Sequence, residues 1–424
     1  MEIGQLYSIF RQYPSIQTDS RKVVPGDIFF ALKGENFNGN AYAMQALEMG
    51  AVCSVIDEDI GFEDHRLIMT NHVLQTLQDL ARHHRAQFEM PFIGITGSNG
   101  KTTTKELIHA VLSSHFTTYT TVGNLNNHIG IPLTLLKIMP DAQIAVVEMG
   151  ANHQHEIESY CKYVQPTHGI ITNCGKAHLE GFGGIEGVRK GKGELYDYLR
   201  INQGTVFAFD DYEYLHQMVK GIEHVNWYGT RHGLVTGSAL RSEPFLSLTI
   251  RGLSFDSLDT NLVGDYNLPN VLCAILVGRH FGVPDIKIKS AIEGYSPGNS
   301  RSQFVQHGTN KIILDAYNAN PSSMKAAIEN FARQPGNRKM LFLGGMMELG
   351  DDSADEHKSL VELIQQFPWE KVVLVGGDFK NIDHPFDYFN SSAEAAAWFK
   401  SAGIENAYIL LKGSRSMQME KLLL

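Results

Sequence analysis

The residues with the plainest chemical purpose are Gly97-Ser98-Asn99-Gly100-Lys101-Thr102-Thr103-Thr104. They follow Phe92-Ile93-Gly94-Ile95-Thr96, a short apolar run of buried-strand type, and precede a helix expected from about Thr102 to Ser114. Gly97 and Gly100 let the backbone curl so that its N–H groups, with those of Ser98, Asn99 and Thr103, point at phosphate oxygens. The helix adds the positive end of its dipole. Lys101 offers a point charge to β- and γ-phosphates, and Thr102 offers a hydroxyl to Mg²⁺. The spacing is G-x-x-G-K-T-T; the longer G-x-x-x-x-G-K pattern would need glycine where Ile95 stands. The competing reading is a glycine turn before a helix that happens to hold a lysine. Strand in front and helix behind favour a nucleotide site.

Further groups stand at the ends of other expected strands. Ile144 to Glu148 is apolar until its final carboxylate, and in an open α/β sheet that edge is where ligands bind. Glu148 suits a hard cation, although alone it reads equally as a loop carboxylate. Gly169 to Thr172 leads to Asn173-Cys174-Gly175-Lys176-Ala177-His178, where His178 is either a metal ligand or a satisfied loop histidine. Val188-Arg189-Lys190-Gly191-Lys192-Gly193-Glu194 is basic and helical in pattern, ordinarily a solvated face. Gly123 to Pro132 carries Asn124, Asn126 and Asn127, amides suited to hydrogen bonding or to turns. Asp315-Ala316-Tyr317-Asn318-Ala319-Asn320-Pro321-Ser322-Ser323 ends a strand and begins a helix. Capping accounts for Pro321 and Ser322 but not for the amide pair Asn318 and Asn320.

These segments, in this order, resemble those of the Mur ligase and folylpolyglutamate synthetase superfamily. The resemblance runs from Asp19 to Arg415. It implies an ATP-dependent ligase that activates a carboxylate as an acyl phosphate and lets an amine attack it. It implies Thr102 and Glu148 on one Mg²⁺, His178 near a second, and Lys192 carbamylated by CO₂ to give an anion for that second ion. Lys101, Glu148, His178 and Lys192 would be the catalytic set. Gly264-Asp265-Tyr266-Asn267-Leu268-Pro269-Asn270 resembles the adenine-site segment, with Tyr266 where histidine is common; Asn267 and Asn270 carry over. Arg301 and Asp315 would lie at the nucleotide. Gly344 to Gly350 resembles G-D-M-x-E-L-G, with Gly345 in place of aspartate, and Lys412-Gly413-Ser414-Arg415-Ser416 closes the series. Thr18-Asp19-Ser20-Arg21 resembles the uridine-binding first domain of the later family members and puts Ser20 and Arg21 at the UDP moiety. The D-Y-N-A-N-P stretch resembles the branch that adds D-alanyl-D-alanine to UDP-N-acetylmuramoyl-tripeptide. Asn124, Asn126, Asn127, Asn318, Asn320, Lys412 and Arg415 would contact those substrates. Three rivals remain: a sister ligase with another acceptor, opposed by the D-Y-N-A-N-P stretch; a silent nucleotide-binding scaffold, opposed by intact Lys101, Glu148, His178 and Lys192; and a kinase or GTPase indifferent to UDP-sugars, opposed by the short loop.

Such groups need rigid strands to aim them. The chain has 424 residues, 43% hydrophobic and 19% charged, enough for two to four domains. The expected fold class is α/β, in three domains. These are a small α/β UDP-binding domain over 1–88, a central P-loop parallel-sheet ATPase domain over 89–298, and a C-terminal Rossmann-like domain over 299–424. Glu89-Met90-Pro91 reads as one linker and Pro297-Gly298-Asn299 as the other. Strand-like stretches without helices over 235–262 interrupt the central alternation. A formal charge of −10 argues against nucleic-acid binding and anionic membranes. Four scattered cysteines without a C-x-x-C pair argue against structural zinc and fit a reducing cytoplasm. The acidic N-terminus has no signal-peptide pattern, and no apolar run is long enough to span a bilayer. A cytoplasmic monomer is the expectation.

Overall fold

The computed structural model describes residues 2–298 and 300–424. Met1 and Asn299 lie outside the described residues, so the second boundary is seen only on either side of Asn299.

Three main sheets organise the described residues, beside a two-stranded ribbon of Lys33–Gly34 and Phe37–Asn38. The N-terminal sheet pairs Ile16–Gln17, Ile28–Phe30, Cys53–Ile56 and Leu67–Met69, all parallel. The C-terminal sheet has six strands in the order Gln303–His307, Asn310–Asp315, Tyr408–Lys412, Lys339–Gly344, Lys371–Val375 and Asp387–Phe389. Only its first pair is antiparallel. Between them lies a nine-stranded sheet. Its parallel part runs Val235–Arg241, His224–Gly229, Thr205–Phe209, His168–Ile171, Phe92–Thr96, Ile144–Glu148, Thr118–Thr120. Ser247–Arg251 and Ser257–Asp259 extend it in antiparallel fashion, which is why 235–262 lacks helices.

This order decides where chemistry can occur. Phe92–Thr96 is buried at every position and sits between His168–Ile171 and Ile144–Glu148. The chain leaves it toward one side and later returns on the other, so a crevice opens at its C-terminal end, as is general for doubly wound sheets. Ile95 pairs with Glu148 and Thr96 with Ile171, so the glycine loop, Glu148 and Thr172 reach the crevice together.

The helix after the loop, Lys101–Ser113, packs against Leu268–His280. The latter is apolar nearly all round and correspondingly buried. Val73–Arg85 does more than end the N-terminal unit. Its Leu77, Leu80 and Ala81 are buried, and its last turn reaches into the central unit. Arg85 donates to the carbonyls of Val164 (2.9 Å), Gln165 (2.9 Å) and Phe88 (2.8 Å), with its guanidinium 3.6 Å over the Phe92 ring. His84 Nε2 lies 2.8 Å from the Ile138 carbonyl. Met90, in the expected linker, packs on a core continuous through both units. Glu89–Pro91 is therefore a covered crossing and not a free tether. No helix among the described residues is long and apolar enough to cross a membrane.

Candidate active site

The glycine loop is held by its neighbours as much as by its own glycines. Gly97 has φ 139°, and a Cβ there would lie 2.0 Å from Thr172 Oγ1. Gly100 has φ 80°, with Asn270 Oδ1 2.7 Å from the same imagined atom. The positive φ and the close approach both demand glycine. Ser98 Oγ donates to the Gly175 carbonyl (2.8 Å) and accepts from the Gly175 N–H (3.0 Å). Asn173 accepts from the Asn99 N–H at 3.0 Å and donates to its carbonyl at 3.0 Å, while Thr172 Oγ1 donates to that carbonyl at 2.6 Å. Thr172 and Asn173 escaped the sequence reading as functional groups, although they directly follow an expected strand. Lys101 Nζ donates to the carbonyls of Gly97 (2.5 Å) and Ser98 (3.1 Å), which ties the charge to the centre of the loop. Burial pushes its ammonium down to about 8, partly opposed by Glu148 and reinforced by Arg301.

Glu148 is 1% exposed. Its Oε1 accepts from Thr102 Oγ1 (3.1 Å) and Asn126 Nδ2 (2.8 Å), while Oε2 is buried without a partner. An orphaned carboxylate oxygen beside a hydroxyl, both in a crevice, is a donor set that suits a hard divalent cation. Asn126 therefore orients Glu148, a role its sequence position did not distinguish from a turn. Lys192 is also 1% exposed and donates to the Ala151 carbonyl at 2.8 Å, its Nζ 4.7 Å over the Phe182 ring. Burial first, and then Lys101, lower its proton affinity well below that of a free lysine. Glu194, on the same helix, is spent capping His155 and Glu158 N–H groups (2.6 and 2.9 Å).

Asn270 and Asn267 are buried and used internally. Asn270 accepts from Thr104 Oγ1 (3.0 Å) and donates to Asn267 Oδ1 (2.9 Å), bracing the loop helix. Both still line the crevice, and Tyr266 beside them bonds Ser302 Oγ at 3.0 Å.

The C-terminal unit forms the opposite wall. Asn320 Nδ2 donates to Asn99 Oδ1 at 2.8 Å, across the two sheets, and also caps helix Pro321–Arg333 through the Ser323 N–H. Capping and cross-wall contact are thus both true of Asn320. Ser322 Oγ accepts the Lys176 N–H (2.9 Å), and Lys176 pairs with Glu356 at 2.5 Å. Lys412, 2% exposed, holds Asp315 at 2.5 Å and the Asn318 carbonyl at 3.2 Å. The Arg301 guanidinium stacks 3.5 Å over Tyr317. His178 and Glu348 meet here too: Nδ1 and Oε2 are 2.5 Å apart, an ion-pair approach without hydrogen-bond alignment. Gly345, where the motif usually has aspartate, lies back to back with Gly377, whose Cα would be 2.6 Å from a Cβ at 345. No side chain fits there.

The walls enclose a cavity of about 860 Å³. It gathers Ser98 to Thr103, Asn124, Asn126, Asn127, Glu148, His178, Asn267, Asn270, Arg301, Asp315, Asn318, Asn320 and Lys412. Lys192 is not among its lining residues but donates to the carbonyl of Ala151, which is. Ser20 and Arg21 lie outside, in a turn of the N-terminal unit where Arg21 pairs with Asp19 at 2.8 Å. Arg415 is outside as well, turned to Glu420 at 3.2 Å.

Three family models match in succession: "Mur ligase family, catalytic domain" over 12–87, "Mur ligase middle domain" over 95–278, and "Mur ligase, glutamate ligase domain" over 300–415. The UDP-N-acetylmuramoyl-tripeptide–D-alanyl-D-alanine ligase of Bacillus subtilis (strain 168) is 32% identical, over 96% of this chain and 92% of the relative. The chain belongs to the Mur ligase family. The Escherichia coli (strain K12) ligase of the same description is 33% identical over 99% of this chain and 94% of its own. Among solved Mur ligases, a MurF crystal structure from Acinetobacter baumannii superposes with TM-score 0.88 at 32% identity, covering 96% of this chain and 92% of that one. MurF from Thermotoga maritima in complex with ADP superposes with TM-score 0.85 at 25% identity, covering 96% of each chain. The three-part α/β architecture is thus that of Mur ligases.

Proposed function

We propose that this Mur ligase joins D-alanyl-D-alanine to UDP-N-acetylmuramoyl-tripeptide at the expense of ATP, making the UDP-muramoyl pentapeptide of peptidoglycan synthesis. The observation that carries the chemistry is the cavity between two sheets, with Lys101 and an orphaned Glu148 oxygen on one wall and the Asn318–Asn320 amides on the other. Full-length likeness to ligases of that description carries the choice of substrates.

In this reading residues 1–88 hold the UDP end, with Ser20 and Arg21 nearby, residues 89–298 hold ATP, and residues 299–424 present the acceptor dipeptide. The first-turn N–H groups of helix Lys101–Ser113 open on the cavity and receive phosphate oxygens. A tripeptide carboxylate oxygen attacks the γ-phosphorus, the bond to the bridging oxygen breaks, and ADP leaves. The dipeptide amine then attacks the acyl carbon, the C–O bond breaks, and phosphate departs with the amine's proton.

Two anions must approach in the first step. Lys101 offsets that repulsion from within the loop. Thr102 and Glu148 fit one Mg²⁺ by their donor set, and His178 and Lys192 a second. When bound, such ions supply charge that stabilises the transferring phosphoryl group. Lys192 fits carbamylation because burial beside Lys101 favours its neutral, nucleophilic form. Asn318 and Asn320 orient the acceptor. Lys412 offers its ammonium to the acceptor carboxylate, and Arg415 would have to turn from Glu420 to assist. The Asn99–Asn320 and Lys176–Glu356 contacts close the cavity to water, which would otherwise hydrolyse an acyl phosphate. In this reading the enzyme acts as a monomer in the cytoplasm, where these substrates would be met.

Phosphate release is measured with ATP and Mg²⁺, adding the UDP-tripeptide and D-alanyl-D-alanine singly and together. Release only with both, and a product heavier by one condensed dipeptide, is expected. Release indifferent to both overturns the reading. Release that needs the UDP-peptide but rejects D-alanyl-D-alanine moves the acceptor to a sister ligase.

A further inference from the structure

The meeting of His178 and Glu348 differs from the other contacts between the central and C-terminal units. Both residues are left-handed, with φ 53° and 63°. Side chains other than glycine adopt that conformation only where surrounding structure holds them. His178 ends the loop that Asn173 and Gly175 fasten to Asn99 and Ser98 of the phosphate cradle. Glu348 stands in a loop fastened just as firmly to its own sheet. The Met346 N–H donates to His357 Nε2 (3.0 Å), the Met347 N–H to Ser414 Oγ (3.1 Å) and the Gly345 N–H to the Val375 carbonyl (2.9 Å). Two rigid loops thus bring Glu348 Oε2 to 2.5 Å from His178 Nδ1.

The two ring nitrogens face different surroundings. Nδ1 is buried and has Glu348 as its close polar neighbour. Nε2 has no protein hydrogen bond among the described residues, and the ring lines the cavity. Gly350 (φ 55°) lets the loops approach: a Cβ there would lie 3.1 Å from Glu180 Cβ, in the short helix that His178 begins.

We propose that Glu348 is a positioning residue for His178: its carboxylate, 2.5 Å from Nδ1, draws the ring proton to that nitrogen by its charge and leaves Nε2 to the cavity, so that the C-terminal unit completes the second cation site only when closed. Histidine ligands in general give their second ring nitrogen to a carboxylate or carbonyl that orients them and raises their basicity. Here the carboxylate comes from another sheet, so closure and cation binding are one event. The inference rests on the reading of His178 as a cation ligand.

The test is Mn²⁺ binding by electron paramagnetic resonance, on the whole protein with a non-hydrolysable ATP analogue and UDP-muramoyl tripeptide. Circular dichroism confirms that each variant is folded. His178→Ala tests the underlying reading: if the weaker of two Mn²⁺ sites is unchanged, that reading fails and the inference falls with it. Given a loss there, Glu348→Ala is expected to weaken the same site about 10- to 100-fold and leave the stronger site alone. Turnover should fall in kcat, with KM for ATP held within about twofold. Glu348→Gln keeps an oxygen dipole beside Nδ1 and should recover most of the affinity. An unchanged weaker site in Glu348→Ala overturns the inference while leaving His178 as a ligand. Equal loss in the Ala and Gln variants overturns it in favour of direct ligation by Glu348.

Discussion

Lys101 and Lys192 show how the same residue type is given two purposes by burial and neighbours. Lys101 keeps carbonyl partners and a nearby Glu148, so its ammonium, lowered to about 8, still holds its proton at neutral pH. The cation is present below about 8 and is lost as pH rises through it. Nucleotide affinity, followed by calorimetry with ADP, should therefore decline above pH about 8, and Lys101→Ala should cost about 10²- to 10³-fold in turnover with the fold intact. A flat profile, or full activity in the variant, sinks the cradle assignment. Lys192 has no acidic partner among the described residues, and its proton is disfavoured by burial and by Lys101. Lys192→Ala should be nearly inactive and partly rescued by short carboxylic acids added to the assay; undiminished activity would remove the carbamate. The loop and Glu148 stood out because each ends an apolar strand run, whereas Lys192 lay in a stretch that reads as a solvated face and is instead buried. Asn126 as the partner of Glu148, and Glu348 as the partner of His178, were not legible. Those pairs span 22 and 170 positions, and nothing in a local pattern encodes which amide or carboxylate the fold returns.

At the scale of elements, the central strand and its helix were plain. Phe92–Thr96 is an unbroken buried run, and Lys101–Ser113 follows a glycine at its N-cap. The strands not anticipated include Thr118–Thr120, a half-buried polar edge strand, and Thr205–Phe209, buried on both faces and without alternation. His168 opens one of the strands that flank the loop. Its Nε2 lies 3.3 Å from His280 Nε2, and its ring stacks on Phe207. Burial chiefly, and His280 in addition, push its imidazole down to about 4. A base whose folded pKa lies below its unfolded value binds protons better when unfolded. The stability it contributes is therefore complete above about pH 6.5 and is lost as pH falls through about 4. The melting temperature should drop across that window, and His168→Phe should flatten the drop. An equally steep drop in the variant would place the titration elsewhere.

For the whole molecule, the arrangement of units follows from which surfaces are shared. The C-terminal unit touches the central one through polar groups around the cavity and shares its apolar core, to which Phe331, Met346 and Leu349 belong. The N-terminal unit shares that core too, and adds the helix Val73–Arg85, whose Arg85 bonds backbone carbonyls of the central unit. Arg85→Met would leave the Val164 and Gln165 carbonyls without their donor, at a cost of about 2–4 kcal/mol. Calorimetry should show the first two units melting in one transition, and the variant should lower that transition as a whole. Separate melting of residues 1–88 would contradict it. The composition gave no hint of this, because Glu89-Met90-Pro91 carries the polarity of an ordinary linker. The shared helix has a consequence for descent. A recombination joint at 89–91 would hand the offspring an arginine cut for one lineage's carbonyls and a core face cut for another's. The first two units are therefore expected to be inherited together.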